Sequence, residues 1–230
     1  MPERVQKGQG TMRAFTFENA TKIYFGGGCV KEHLLEAVKP YGETVMLAYG
    51  GGSIKTNGIY QEVMDVLKLA GKQVIEFSGI MPNPTYSKVM EGKKVVQENQ
   101  VDLILAVGGG SVMDCCKAIS LAARYEGDVW ADFWARPGII DFKPLPLGVI
   151  VTVAGTGSEC NGGAVITNED LKVKIIHSVI PNLPCLIRNI PTVFQSFKWF
   201  PAGLIPCPIS WRFISVSRMR IMFRMTLRRH

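Results

Sequence analysis

The sequence predicts an α/β fold built on a mostly parallel sheet. Strand-like and helix-like segments alternate from residue 12 to residue 170. Four of the strand-like runs lead straight into a turn rich in glycine. A chain of 230 residues can bury a sizeable core, and 47% hydrophobic with 20% charged residues is ordinary for a globular domain.

The elements follow in order. Lys22–Phe25 reads as a short strand entering Gly26–Gly28, and Glu32–Val38 as a helix stopped before Pro40. Thr44–Ala48 is a compact apolar strand ending at Tyr49–Ser53. Ile59, Val63, Val66 and Leu67 recur at helical spacing through Leu69, with Gly71 placed to terminate that helix. Gln73–Phe77 is the next strand. Met81–Thr85 must turn, because Pro82 and Pro84 deny the backbone two donors. A helix over Tyr86–Glu98 follows, then the buried strand Val101–Val107, a helix over Ser111–Ala123 and a strand over Pro146–Thr152 that leads into Ala154–Glu159. Val165–Asp170 reads as a turn.

Chemistry gathers at the turns. Gly108, Gly109, Gly110 and Ser111 stand between a strand and a helix, with Asp114 and Lys117 on the first turns of that helix. Glycines let backbone approach an anion closely, and the helix start offers unpaired N–H groups and a positive dipole end. Taken alone, such a turn is better read as a tight strand-to-helix connection without a ligand. Here a second turn, Gly50–Gly51–Gly52–Ser53 with Lys55, follows an earlier strand. In a dinucleotide fold a carboxylate at such a place holds the ribose 2′-hydroxyl. This loop has none, and Ser53 with Lys55 suits a 2′-phosphate, so NADP is expected over NAD. A second reading makes Lys55 a solvated surface charge. The third turn, Thr152–Glu159, precedes Val165–Asp170 and Lys174.

Together with Pro82–Asn83–Pro84–Thr85, these turns resemble the iron-type (group III) alcohol dehydrogenases, butanol dehydrogenases in particular, over about residues 12–175. The resemblance implies a Rossmann-like, parallel-sheet cofactor domain of the dehydroquinate synthase-like fold. It further implies NADP- or NAD-dependent, metal-assisted alcohol oxidation or aldehyde reduction. Gly51, Gly52, Ser53 and Lys55 would face the adenosine ribose; Gly108, Gly109, Gly110 and Ser111 would hold the pyrophosphate, supported by Asp114. Asn83 would contact the ribose or nicotinamide side, Thr152 and Thr156 would line the nucleotide cleft, and Lys174 would reach a ribose. Val112 stands where many members have proline, and Val153 where many have threonine. A small alcohol or aldehyde substrate, a homodimer and a cytoplasmic setting are implied, with no nucleic-acid or membrane partner. A non-catalytic nucleotide-binding module and a glycerol dehydrogenase-like relative are the alternatives.

Beyond residue 170 the composition changes. No Asp or Glu follows Asp170, whereas Leu171–His230 carries ten Lys or Arg. The remaining 16 basic and 19 acidic residues leave 1–170 at a net charge of −3, so the overall +7 comes from the tail. A basic tail could seek nucleic acid or an anionic membrane; we prefer a tail with no selected partner. The polar opening Met1–Lys7 holds no signal-peptide core, no apolar run is long enough to span a bilayer, and six cysteines without paired spacing fit a reducing compartment. Family members continue into an all-helical domain whose Asp and three His hold Fe²⁺ or Zn²⁺. That set is expected to be missing here, so neither a metal site nor a catalytic residue is assigned. Shifting the frame by one base turns Gly203–Ser215 into a segment resembling that metal motif, and Ile187–Lys198 into another family-like stretch. A frameshift or sequencing error near Ile176–Ser178 is therefore expected. The expected units are an extension over 1–11, a cofactor domain over 12–175 and an aberrant, poorly ordered tail over 176–230 with exposed Trp199, Phe200, Trp211 and Phe213.

Overall fold

In the computed structural model, residues 21–136, 140–153 and 155–178 are described. The expectations for the 1–11 extension and for most of the 176–230 tail, including its four aromatic residues, lie outside them. Helix α1 (Cys29–Val38) stops as the chain approaches Pro40. It leads to strand β1 (Thr44–Tyr49), the short helix α2 (Ser53–Thr56) and helix α3 (Ile59–Leu69). Gly71, at φ 68°, closes α3: its N–H donates to the Lys68 carbonyl at 3.0 Å, and that of Lys72 to the Leu67 carbonyl at 3.0 Å. This doubly bonded ending needs a left-handed residue, which glycine supplies without steric cost.

Strand β2 (Gln73–Phe77) and the proline turn lead to helix α4 (Tyr86–Glu98), whose N-cap Thr85 accepts a hydrogen bond from the Lys88 N–H at 3.3 Å. Strand β3 (Leu103–Gly108), helix α5 (Gly110–Ala122), a π-helical turn over Trp130–Trp134 and strand β4 (Leu147–Val151) follow.

These four strands form one parallel sheet in the order β2-β1-β3-β4. The chain steps outward from β1 to β2, then returns to the other side of β1 for β3 and β4. The order therefore reverses between β1 and β3, and a crevice opens beyond their carboxyl ends.

Alternating side chains divide the core between the two faces of the sheet. Val45, Leu47, Leu103 and Leu105 pack with α1 and α3, while Met46, Ala48, Ile104 and Ala106 pack with α4 and α5. All six residues of β3 are buried, which is why that strand reads as a continuous apolar run. Each such aliphatic side chain stabilises the fold by roughly 1.5–3 kcal/mol relative to exposure. Cys115 and Cys116 belong to this core; burial pushes the Cys115 thiol up to about 12 and raises that of Cys116 well above its ordinary value. Both act as small apolar groups.

Two sequence expectations need correction. Lys22–Phe25 is not a strand: among the described residues it has no ladder partner, and Tyr24 instead stacks on His33 with ring centroids 4.3 Å apart. A short apolar run becomes a strand only where a neighbouring strand can pair with it. Val165–Asp170 is not simply a turn. Gly163–Asn168 (β5) and Val173–Ser178 (β6) form a separate antiparallel hairpin, and a 3₁₀ turn over Ser158–Cys160 precedes it.

Candidate functional site

The two glycine turns lie side by side. Tyr49 pairs with Val107 in register, so Gly50–Ser53 and Gly108–Ser111 leave adjacent strands at the same level. Gly109, in extended conformation, starts α5 with no side-chain cap. The first amides of that helix and its positive dipole end are thus left for a partner. Thr152 extends the wall by donating its N–H to the Gly108 carbonyl at 3.0 Å. Thr156 seats against Gly110 so closely that a Cβ there would come within 2.6 Å of the Thr156 methyl carbon. By contrast, nothing lies within 4 Å of a Cβ built on Gly51 or Gly52, so that turn faces open space.

Asp114 and Lys117 fasten the third turn to α5. The Lys117 ammonium, on a residue 3% exposed, donates to the Ser158 hydroxyl at 2.7 Å and the Gly163 carbonyl at 2.8 Å. Ser158 in turn donates to Asp114 Oδ1 at 2.6 Å, and the Val165 N–H donates to Asp114 Oδ2 at 3.1 Å. These hydrogen bonds, centred on the buried Ser158 hydroxyl, hold the segment carrying Thr156 over the start of the helix. Asp114 thus supports the turn and does not itself face the open amides. Spacing along one helix singled out Asp114 and Lys117, but Ser158 is 44 and 41 residues away, and no local signal connects it to them.

Asn83 and Lys174, 91 residues apart, also meet: the lysine donates to Asn83 Oδ1 at 2.5 Å. Asn83 sits at φ 54°, a conformation asparagine tolerates better than most residues. The proline turn is joined to the hairpin through the Thr167 N–H, which donates to the Pro84 carbonyl at 2.9 Å, and through a hydrogen bond between Ser87 and Glu169.

Lys55 has company that the loop sequence does not reveal. Its ammonium lies 3.3 Å from Glu76 Oε2, 4.6 Å from the Tyr60 ring centre and 5.4 Å from that of Tyr49. Tyr49 donates its hydroxyl to Glu76 Oε2 at 2.5 Å, and Tyr60 donates to Oε1 at 2.6 Å. The two tyrosine hydroxyls, with Lys55 behind them, hold the Glu76 carboxyl below its usual range, while Tyr49 and Glu76 raise the Lys55 ammonium. The expectation of a turn without a carboxylate holds for the loop itself. A carboxylate nevertheless reaches that turn from β2. Its position next to the last residue of a strand, at the carboxyl edge of the sheet, was the available signal.

The model of the iron-containing alcohol dehydrogenases matches residues 20–186. The chain belongs to that family. It is 48% identical over 163 residues to the "Probable NADH-dependent butanol dehydrogenase 1" of Bacillus subtilis (strain 168), covering 71% of this chain and 41% of the relative. To the NADPH-dependent aldehyde reductase YqhD of Escherichia coli (strain K12) it is 42% identical over 161 residues, covering 69% and 40%. The crystal structure of NADH-dependent butanol dehydrogenase A from Thermotoga maritima superposes with a TM-score of 0.73 at 42% identity, over 80% of this chain and 46% of that one. The chain thus spans about two fifths of the length of these curated relatives. Among the described residues, no three His, Cys, Asp or Glu side chains lie where they could hold a metal ion. The family's iron finds no fitting site among them. No helix among the described residues is long and apolar enough to cross a membrane.

Proposed function

We propose that this chain is the dinucleotide-binding part of an alcohol dehydrogenase or aldehyde reductase that acts on a small alcohol or aldehyde with NAD or NADP. One observation carries the reading. The sheet reverses its strand order between β1 and β3, and both glycine turns open into the resulting crevice. In open α/β sheets that crevice is where nucleotides bind. The amides of Gly109, Gly110 and Ser111 would take the pyrophosphate at the start of α5, with Gly108 ending the strand just ahead of them. Gly51, Gly52 and Ser53 would receive the adenosine ribose, and Lys55 decides how that ribose is read. Thr152 and Thr156 form the facing wall, Asp114 holds that wall in place, and the Asn83–Lys174 pair stands ready for ribose hydroxyls. The bound nicotinamide ring would accept or donate the hydride.

Titration of the full chain with NADH and NADPH, followed by nicotinamide fluorescence, tests this. Binding of one or both with a dissociation constant between about 1 μM and 1 mM is expected, and no detectable binding of either overturns it. A homodimer for the assembled enzyme and an out-of-frame origin for residues 176–230 belong to the same proposal. Light scattering and resequencing of the gene across codons 170–231 are their respective checks.

A further inference from the structure

We infer that Asn57 is a site of spontaneous modification, its side-chain amide being converted to aspartate and isoaspartate through a cyclic imide formed with Gly58. Two Asn-Gly pairs occur in the chain, Asn57–Gly58 and Asn161–Gly162. Glycine favours this chemistry because no side chain shields its nitrogen or resists the backbone rotation that closes the ring. The other asparagines among the described residues, Asn83, Asn99 and Asn168, precede Pro84, Gln100 and Glu169. Proline has no N–H to attack with, and the two long side chains crowd the approach. The modification would proceed whether or not the crevice holds a nucleotide.

The fold treats the two pairs differently. Asn161 is held at both ends of its amide: Oδ1 accepts from the Gly163 N–H at 2.9 Å and the Lys117 ammonium at 3.4 Å, and Nδ2 donates to the Gly157 carbonyl at 2.8 Å. Closing the ring there would strain or break all three. Asn57 is exposed at the end of α2 and has one such tie, from the Ile59 N–H to Oδ1 at 3.2 Å. Gly58 stands at φ 81°, and a Cβ built on it would meet nothing within 4 Å, so no packing stops the main chain from turning. The deprotonated Gly58 nitrogen bonds to Asn57 Cγ, the Cγ–Nδ2 bond breaks, and ammonia leaves. Water then opens the imide. Cleavage at the Cγ side gives aspartate; cleavage at the main-chain carbonyl gives isoaspartate, with the backbone rerouted through Cβ and Cγ. Water is the only co-reactant, and either product gains a carboxylate. Isoaspartate also lengthens the link between α2, which follows the Gly50–Ser53 turn, and the buried Ile59 that starts α3.

The test incubates the full chain at mildly alkaline pH, folded and in concentrated urea, and follows its peptides by liquid chromatography and mass spectrometry. In the folded chain the peptide Thr56–Lys68 should be replaced over time by two species one mass unit heavier, the aspartyl and isoaspartyl forms. Conversion at Asn161 should be at least about tenfold slower, since its ring closure must first give up the extra hydrogen bonds. In urea the two sites should convert at similar rates, which shows that the fold makes the difference. Asn57→Gln, whose longer side chain disfavours the ring, should abolish the shift in that peptide. An unchanged Asn57 in the folded chain while the urea sample converts overturns the inference. So does conversion of Asn161 as fast as Asn57 in the folded chain.

Discussion

Lys117 shows how a charged side chain can be part of a core. Its amine is enclosed by α5, the 3₁₀ turn and β5, and its bonds to Ser158 and Gly163 replace the water it has lost. Substituting Lys117→Met would leave the Ser158 oxygen and the Gly163 carbonyl without their donor, and leaving such groups unsatisfied costs roughly 1–3 kcal/mol. Urea unfolding of the variant should show a loss of that order. Residues of this kind were half legible in the sequence. Asp114 and Lys117 stand out because they follow a glycine turn on the first turns of a helix, where an acid and a base draw notice. Their partner did not, because Ser158 is one hydroxyl among many until the fold brings it within 2.7 Å. Glu76 escaped for the same reason: its role comes from Tyr49, Tyr60 and Lys55, which reach it from two other elements.

Among the elements, those governed by local rules matched the sequence residue for residue. The α3 helix ends at Leu69 because Gly71 closes it, and α4 begins at Tyr86 because Thr85 caps it and Pro84 cannot join it. The β5–β6 hairpin was missed because its stretch opens with polar and glycine residues; only alternate positions, Ala164 and Ile166 among them, turn inward. The element most sensitive to a small change is the start of α5. Gly110→Ala would press a methyl group into Thr156, and overpacking of that kind costs about 1–3 kcal/mol. If Thr156 gives way, the wall of the crevice moves with it. Dinucleotide affinity is thus expected to fall about tenfold or more, as read by fluorescence titration, while helical circular dichroism stays unchanged.

The molecule as a whole is organised around β3, which has a strand on either side and a packed layer on each face. Amides there can exchange only when the entire sheet opens. Hydrogen exchange followed by mass spectrometry should find peptides from Leu103–Gly108 the slowest, those from β2 at the sheet edge faster, and those from β5 and β6 faster still. Equal protection of the hairpin and β3 would contradict this. The α/β class was readable at this scale because a buried strand and an amphipathic helix leave different periodicities. The strand order was not, because β1 and β3 are joined by no local signal. That order also shapes how the molecule would meet a guest. The crevice beyond the carboxyl ends of β1 and β3 is created by the path of the main chain, so it exists before anything arrives and needs no rearrangement of side chains to form. A visitor would find its berth already shaped, and encounter alone, with no slower settling step behind it, would govern how fast it docks.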